Sequence, residues 1–224
     1  EADVVAKLLH SCRHSEKLLR HINFLFKKGS MYLTCNHNLL FHASVPLNED
    51  RTFRKVKIRG RAFSGRALLD RIDEFVRQSH WSSSDHPEHK EAVDYMWYLW
   101  CGPDSPLFDK SAMTTFERYF IAEKATHHEE KGYYYVYRTE QEVCERILEE
   151  FGLTGPDTHI INGHVPVKAV KGEHPLQAGG KLMLIDGGFS RAYQSSTGIA
   201  GYTLIFNSPG LHLVKHEPFS STKE

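Results

Sequence analysis

Apolar positions recur first at helical spacing: Val4, Val5, Leu8 and Leu9, then Leu18, Leu19, Ile22 and Leu25. Gly29 is well placed to stop that helical run. Residues 31–35 and 39–45 then read as two strands around Asn36, His37 and Asn38, a hairpin signal. Pro46 ends the second, and residues 53–58 predict another short strand. Ser64 is placed to cap a helix through Gln78, with Leu68, Leu69, Ile72, Phe75 and Val76 on its inner face. Pro87 opens a further helix that Gly102 closes, and its aromatic end, residues 95–100, reads as core. Thr139 and Glu142 have capping-box spacing for a helix to Phe151, stopped by Gly152. After Thr158 the pattern turns to strands: Ile160 and Ile161, then residues 181–185, 201–206 and 211–215, the last two joined by an Asn-Ser-Pro-Gly turn. Helices lead and strands close, which predicts a mixed α and β class ending in an antiparallel meander.

Composition narrows the function classes. The 224 residues suit one large domain or two small ones, and without repeats or low-complexity tracts they read as a single unit, 1–224. Lys plus Arg and Asp plus Glu both number 28, so no charge excess marks a nucleic-acid or membrane partner. No apolar run approaches the roughly 18 residues that span a bilayer, and no signal peptide is visible. Four scattered cysteines without a Cys-x-x-Cys pair read as free thiols of a reducing, cytoplasmic setting. The chain begins at Glu1 and enters a helical pattern at once, which suggests a fragment of a larger protein.

The candidate chemistry lies at strand ends. His42 follows Leu39, Leu40 and Phe41, and His164 follows Ile160, Ile161, Asn162 and Gly163. An imidazole at the end of a strand, beside a small residue, suits a metal site because it is rigidly placed. A hydrogen-bonded structural histidine, or a surface histidine in a turn, fits the same letters. Residues 182–185 end likewise at Asp186, Gly187 and Gly188, so two strands stop at one kind of edge. Gly163 leaves room for the backbone to approach a ligand. The run from His127 to Glu130 reads as a solvated loop, since adjacent side chains do not face each other on a helix. Cys144 has Glu142 and Glu145 beside it and makes a poor nucleophile. Neither a nucleophile elbow, nor a P-loop, nor a dinucleotide fingerprint is present.

Three blocks resemble a known family: residues 38–50 around His42, residues 161–167 around His164, and residues 185–193 with 197–204. Together they are similar to the C-terminal part of bacterial class III fructose-1,6-bisphosphatases, a branch of the calcineurin-like metallophosphatases. The resemblance implies a β-sandwich flanked by helices and a two-metal site, usually manganese. It also implies a sugar bisphosphate substrate, with hydrolysis of the 1-phosphate of fructose 1,6-bisphosphate in gluconeogenesis. By position it makes His42 and His164 metal ligands. Lys131, before Gly132, stands where phosphoprotein phosphatases carry a phosphate-binding arginine; a lysine is a point charge, not a fork. Asp186, Arg191 and Tyr193 fall in the last site loop, toward substrate phosphate or sugar.

The departures matter equally. Ala43 stands where relatives have glycine, and Pro166 where many have a second histidine. The Asp-x-His, Gly-Asp-x-x-Asp-Arg-Gly and Gly-Asn-His-Glu motifs are absent. With them would come the bridging carboxylate and the catalytic histidine, so the N-terminal metal-binding half is expected outside this chain, which alone is expected to be inactive. Half of a sandwich is also expected to expose an apolar face, or to cover it as a homo-oligomer. The alternatives are another metallophosphatase of phosphoprotein phosphatase type, or a binding or regulatory module without catalysis.

Overall fold

The computed structural model describes residues 1–187, 191, 194–198 and 201–216. Helices α1 (Ala2–Arg13) and α2 (Glu16–Lys28) lead. The apolar stripe breaks between them, where the Ser15 hydroxyl accepts from the Leu18 N–H at 3.3 Å and caps α2. Strands β1 (Tyr32–Cys35) and β2 (Asn38–Phe41) pair antiparallel. Asn36 and His37 turn between them with φ of 49° and 61°, the left-handed conformation a tight hairpin requires. A second hairpin, β3 (Val56–Ile58) and β4 (Arg61–Phe63), turns at Arg59 and Gly60.

Five helices follow: α3 (Gly65–Trp81), α4 (His89–Cys101), α5 (Thr115–Phe120), α6 (Tyr133–Tyr137) and α7 (Gln141–Glu150). Neither cap expected from the sequence forms here. At the start of α3, Glu150 accepts the Arg66 N–H at 3.0 Å in place of the Ser64 hydroxyl. Helix α7 starts after Glu140, whose carboxylate turns to Arg51 at 2.7 Å, and has no side-chain cap. The aromatic end of α4 is also less buried than its letters suggest. Leu99 is core, whereas Trp97 and Trp100 are exposed.

The remaining elements are β5 (His159–Asn162), β6 (Leu176–Gln177), β7 (Leu182–Leu184), α8 (Gln194–Thr197), β8 (Tyr202–Asn207) and β9 (Gly210–Lys215). Five strands form one mixed sheet in the order β1-β2-β5-β7-β6. Its three middle strands are parallel and its outer pairs antiparallel. The closing strands therefore do not make a three-stranded meander: β7 belongs to the large sheet, and β8 and β9 pair as a separate hairpin.

Register explains what is buried. Leu39, Ile160 and Leu182 lie side by side across the parallel strands, and all are fully buried with Leu68, Ile72, Phe75 and Ile147 of α3 and α7. The next row on the other face runs Leu33, Leu40, Ile161, Met183 and Leu176, apolar across all five strands. Its two ends, Leu33 and Leu176, are 53% and 41% exposed. Ile161 and Met183 in its middle are buried, so only the ends of the row are open; α1 separately exposes Val4, Val5, Leu8 and Leu9.

One polar residue sits in the core row with Phe41 and Leu184: Asn162, fully buried. Its amide nitrogen donates to the carbonyls of Phe41, His42 and Ala43 at 3.3, 2.9 and 3.2 Å. Its oxygen accepts from the Tyr134 hydroxyl at 3.2 Å. Replacing Asn162 with Ala orphans these buried groups and should cost about 1–3 kcal/mol. Ile160→Ala opens a cavity beside it and should cost about 2–5 kcal/mol. Urea denaturation checks both against the exposed control Lys57→Ala, expected to change stability by less than about 0.5 kcal/mol. An Asn162→Ala variant as stable as that control would show that the clamp contributes nothing.

Candidate functional site at the parallel strand ends

Strands β2, β5 and β7 run in one direction, so their C-terminal ends share an edge of the sheet. One residue past β2 stands His42, two past β5 stands His164, and two past β7 stands Asp186. Parallel sheets hold their sites at this edge because each strand delivers its next residue to the same place. The edge is tied together by backbone bonds. Gly163 N–H donates to His42 O at 3.1 Å, Ile185 N–H to Asn162 O at 3.1 Å, and Val167 N–H to Asp186 O at 2.9 Å.

The two imidazoles meet. His164 Nδ1 lies 3.1 Å from His42 Nε2, and the rings cross edge to face with centroids 4.9 Å apart. One ring N–H donates to the bare nitrogen of the other, which requires at least one neutral ring. His164 adopts φ of 63°, a conformation rare for a residue with a side chain. The strain falls on the histidine and not on its neighbour. A Cβ on Gly163 would stand 3.6 Å from His42 O, an ordinary contact, so crowding does not explain that glycine. Phe108 and Tyr135 flank the His164 ring at 6.5 and 6.4 Å between centroids.

Burial disfavours charge on both rings. Burial pushes His164 down to about 4, helped by the charges of His42, Lys110 and Arg138 and opposed by Asp186. Partial desolvation also lowers His42, again against the pull of Asp186, although its outer side stays open to solvent. Neutral imidazoles are the form that ligates metal. Two nitrogens each about 2.1 Å from a shared ion, in neighbouring coordination positions, would sit about 3 Å apart. The 3.1 Å spacing fits that requirement. Among the described residues no group of three or more His, Cys, Asp or Glu could hold an ion. Among the described residues the two histidines thus have no third such group beside them.

The other expected site residues scatter. Asp186 is half-buried, and its charge reaches both imidazoles. Lys131 sits in a strap in which residues 110 and 131 bridge and Gly132 N–H donates to Asp109 O at 2.8 Å. Gly132 is needed there, because a Cβ would meet the Asp109 carboxyl at 2.2 Å. Arg191 is exposed, and among the described residues no bond ties its side chain to the histidine pair. Tyr193 lies outside the described residues.

Sequence reasoning missed several neighbours. Asn162 reads there as part of a turn, yet it is the clamp behind both histidines. Glu129 reads as solvated, but it accepts from Lys110 Nζ and from the backbone and hydroxyl of Thr114, all at 2.9–3.0 Å. Burial pushes its carboxyl up, but those donors outweigh it and hold it at about 2. Asp109 is buried and burial pushes it up to about 6. Cys144 is buried, which drives its thiol to about 12 and keeps it inert, as its acidic neighbours suggest.

The depressed histidine gives a pH signature. Between its folded value of about 4 and the ordinary value of about 6.5, His164 binds fewer protons in the folded than in the unfolded chain. Its stabilising contribution is therefore complete above pH 6.5 and is lost as pH falls toward 4. Proton NMR of the ring should show His164 still neutral at pH 5.5, where an exposed histidine is mostly charged. A midpoint for His164 near 6.5 would contradict the burial described above.

The chain is similar to known proteins along its whole length. The family model described as Firmicute fructose-1,6-bisphosphatase matches residues 1–224. A protein of Porphyromonas gingivalis named fructose-1,6-bisphosphatase class 3 is 66% identical over all of this chain, which covers 34% of that protein. Proteins of the same name from Bacteroides fragilis and Clostridium tetani are 59% and 54% identical, again over the whole chain and 34% of their length. The chain thus spans about a third of the length of the curated relatives it matches. No solved structure matches it. With every residue inside the family match, the chain belongs to the Firmicute fructose-1,6-bisphosphatase family.

Proposed function

We propose that this chain is the C-terminal portion of a longer enzyme that hydrolyses the 1-phosphate of fructose 1,6-bisphosphate. In that enzyme His42 and His164 hold one divalent metal of a two-metal site. The observation that carries this reading is the 3.1 Å approach of His164 Nδ1 to His42 Nε2 at the shared strand edge. The relatives' name supplies the substrate class. Manganese is the proposed ion: hard carboxylate ligands from the rest of the protein, added to two imidazoles, make a mixed set of the kind it accepts. The ion held by His42 and His164 would supply, with its partner ion, Lewis-acid stabilisation of the charge that develops during phosphoryl transfer.

What this chain's own residues contribute is placement and charge. Asn162 fixes the carbonyls on either side of the His42 peptide, so the imidazole leaves the strand in one direction. Burial, helped at His164 by nearby cations and opposed by Asp186, biases both rings toward the neutral form. Lys131 offers a positive charge to a substrate phosphate, and Arg191 and Tyr193 are the loop residues proposed to reach phosphate or sugar. A place in gluconeogenesis, a cytoplasmic location and a homo-oligomer that covers the apolar row are part of the same reading. A phosphoprotein phosphatase fits the two histidines, but the relatives reported above all bear the bisphosphatase name.

Phosphate release from fructose 1,6-bisphosphate at saturating manganese tests this. The full-length protein should be active and the 224-residue chain inactive. Replacing His42 or His164 with Ala in the full-length protein should lower kcat/KM by about 100-fold or more. A chain as active as the full-length protein, or a full-length protein indifferent to both substitutions, would refute the assignment.

A further inference from the structure

We propose that the cavity beside the strap closed by Lys110 and Lys131 binds a small free α-amino acid with an apolar side chain, whose ammonium group bonds to Asp109. This site does not depend on the substrate proposed above. The cavity has a volume of about 330 Å³, at the small end of the range that holds ligands. Neither His42 nor His164 lines it.

Asp109 forms part of the cavity wall, yet the residue is only 3% exposed. Among the described residues its Oδ2 has no hydrogen-bond partner, and neither has the buried hydroxyl of Ser44 beside it. The chain is bent to hold the carboxyl there. Asp109 adopts φ of 51°, the left-handed conformation that side chains disfavour. Gly132 gives the carboxyl its room, since a Cβ there would stand 2.2 Å from Oδ1. The strap is then fixed on both sides: Ser111 N–H donates to Glu130 O at 2.8 Å, and Glu130 N–H to Ser111 Oγ at 2.9 Å. Backbone strain kept around a buried carboxyl that bonds to nothing is explained by a ligand that supplies the missing donor.

The lining sets the chemistry of that ligand. A buried carboxylate is answered best by a cation that also donates hydrogen bonds. Two cations of the wall are already committed elsewhere: Arg54 pairs with Asp104 at 2.7 Å and Lys110 with Glu129 at 3.0 Å. An ammonium group from a ligand fills the role, whereas a phosphate or another simple anion would meet the carboxylate as a like charge. Lys131 also lines the cavity, is exposed, and has no ion pair among the described residues. It is therefore free to meet an anionic group at the mouth. The remaining wall is mostly apolar, with Leu47, Pro103 and the Tyr133 ring. A cation held deep, a carboxylate toward solvent and an apolar body between are the parts of an apolar amino acid.

Calorimetric titration of the full-length protein with L-leucine tests this, beside isocaproate, which lacks the ammonium group, and isoamylamine, which lacks the carboxylate. Wild type should bind leucine, and each of the other two about tenfold more weakly or worse. Asp109→Asn keeps the shape and removes the charge, and should weaken leucine binding about tenfold or more. Lys131→Met, at the exposed mouth, should weaken it as well. Thermal unfolding without ligand separates a carboxylate kept for a ligand from one that holds the fold. The Tm of Asp109→Asn should be unchanged or raised, because the charge it removes has no partner within the protein. A wild type that does not bind leucine, isocaproate bound as tightly as leucine, leucine binding indifferent to either substitution, or a Tm lowered by Asp109→Asn would each overturn the proposal.

Discussion

The buried amide of Asn162 donates to three successive carbonyls of the segment that leaves β2, and accepts from Tyr134 in α6. An amide has two N–H groups, so three acceptors share them, and the side chain has no freedom to turn. In a row otherwise filled by Phe41 and Leu184, such a group is tolerated only when fully satisfied. The consequence is geometric. The exits of β2 and β5 are locked to each other by one side chain, and the residues that follow are His42 and His164. Without that lock, two imidazoles on separate loops would have to be brought within hydrogen-bond distance by solvent-exposed backbone alone.

The same edge is arranged electrostatically. Burial and nearby cations discourage protonation of His164, while Asp186 pulls the other way on both rings. The cations cannot be there to stabilise the imidazoles, since they disfavour the charged form. Lys110 is held by Glu129 and therefore stays in place, whereas Arg138 stacks on Tyr135 and keeps its charge free of a carboxylate among the described residues.

Much of this was legible in the sequence, and the rest was not for identifiable reasons. The hairpin at Asn36 and His37 and the helix around Leu68, Ile72 and Phe75 follow from local letters, and both are present. The two histidines were visible as strand-end residues, although their approach to each other depends on parallel pairing, which no local pattern encodes. Strand β6 is two residues long and α6 five, too short for any period to show. The cap at Ser64 gave way to Glu150, far away in sequence, and the one at Thr139 failed because α7 starts one residue later, after Glu140. Asn162 and Asp109 escaped notice because their surroundings arise from burial and convergence, not from spacing. The expected meander failed because β7 finds a parallel neighbour in β5.

The central claim is that this locked edge presents His164 Nδ1 and His42 Nε2 to one metal ion. Anomalous diffraction at the manganese edge, from crystals of the full-length protein grown with manganese, tests it most directly. The account predicts a peak within about 2.0–2.3 Å of both nitrogens, on the spacing expected of imidazole ligands. Manganese peaks elsewhere, with the two rings still hydrogen-bonded to each other, would contradict it.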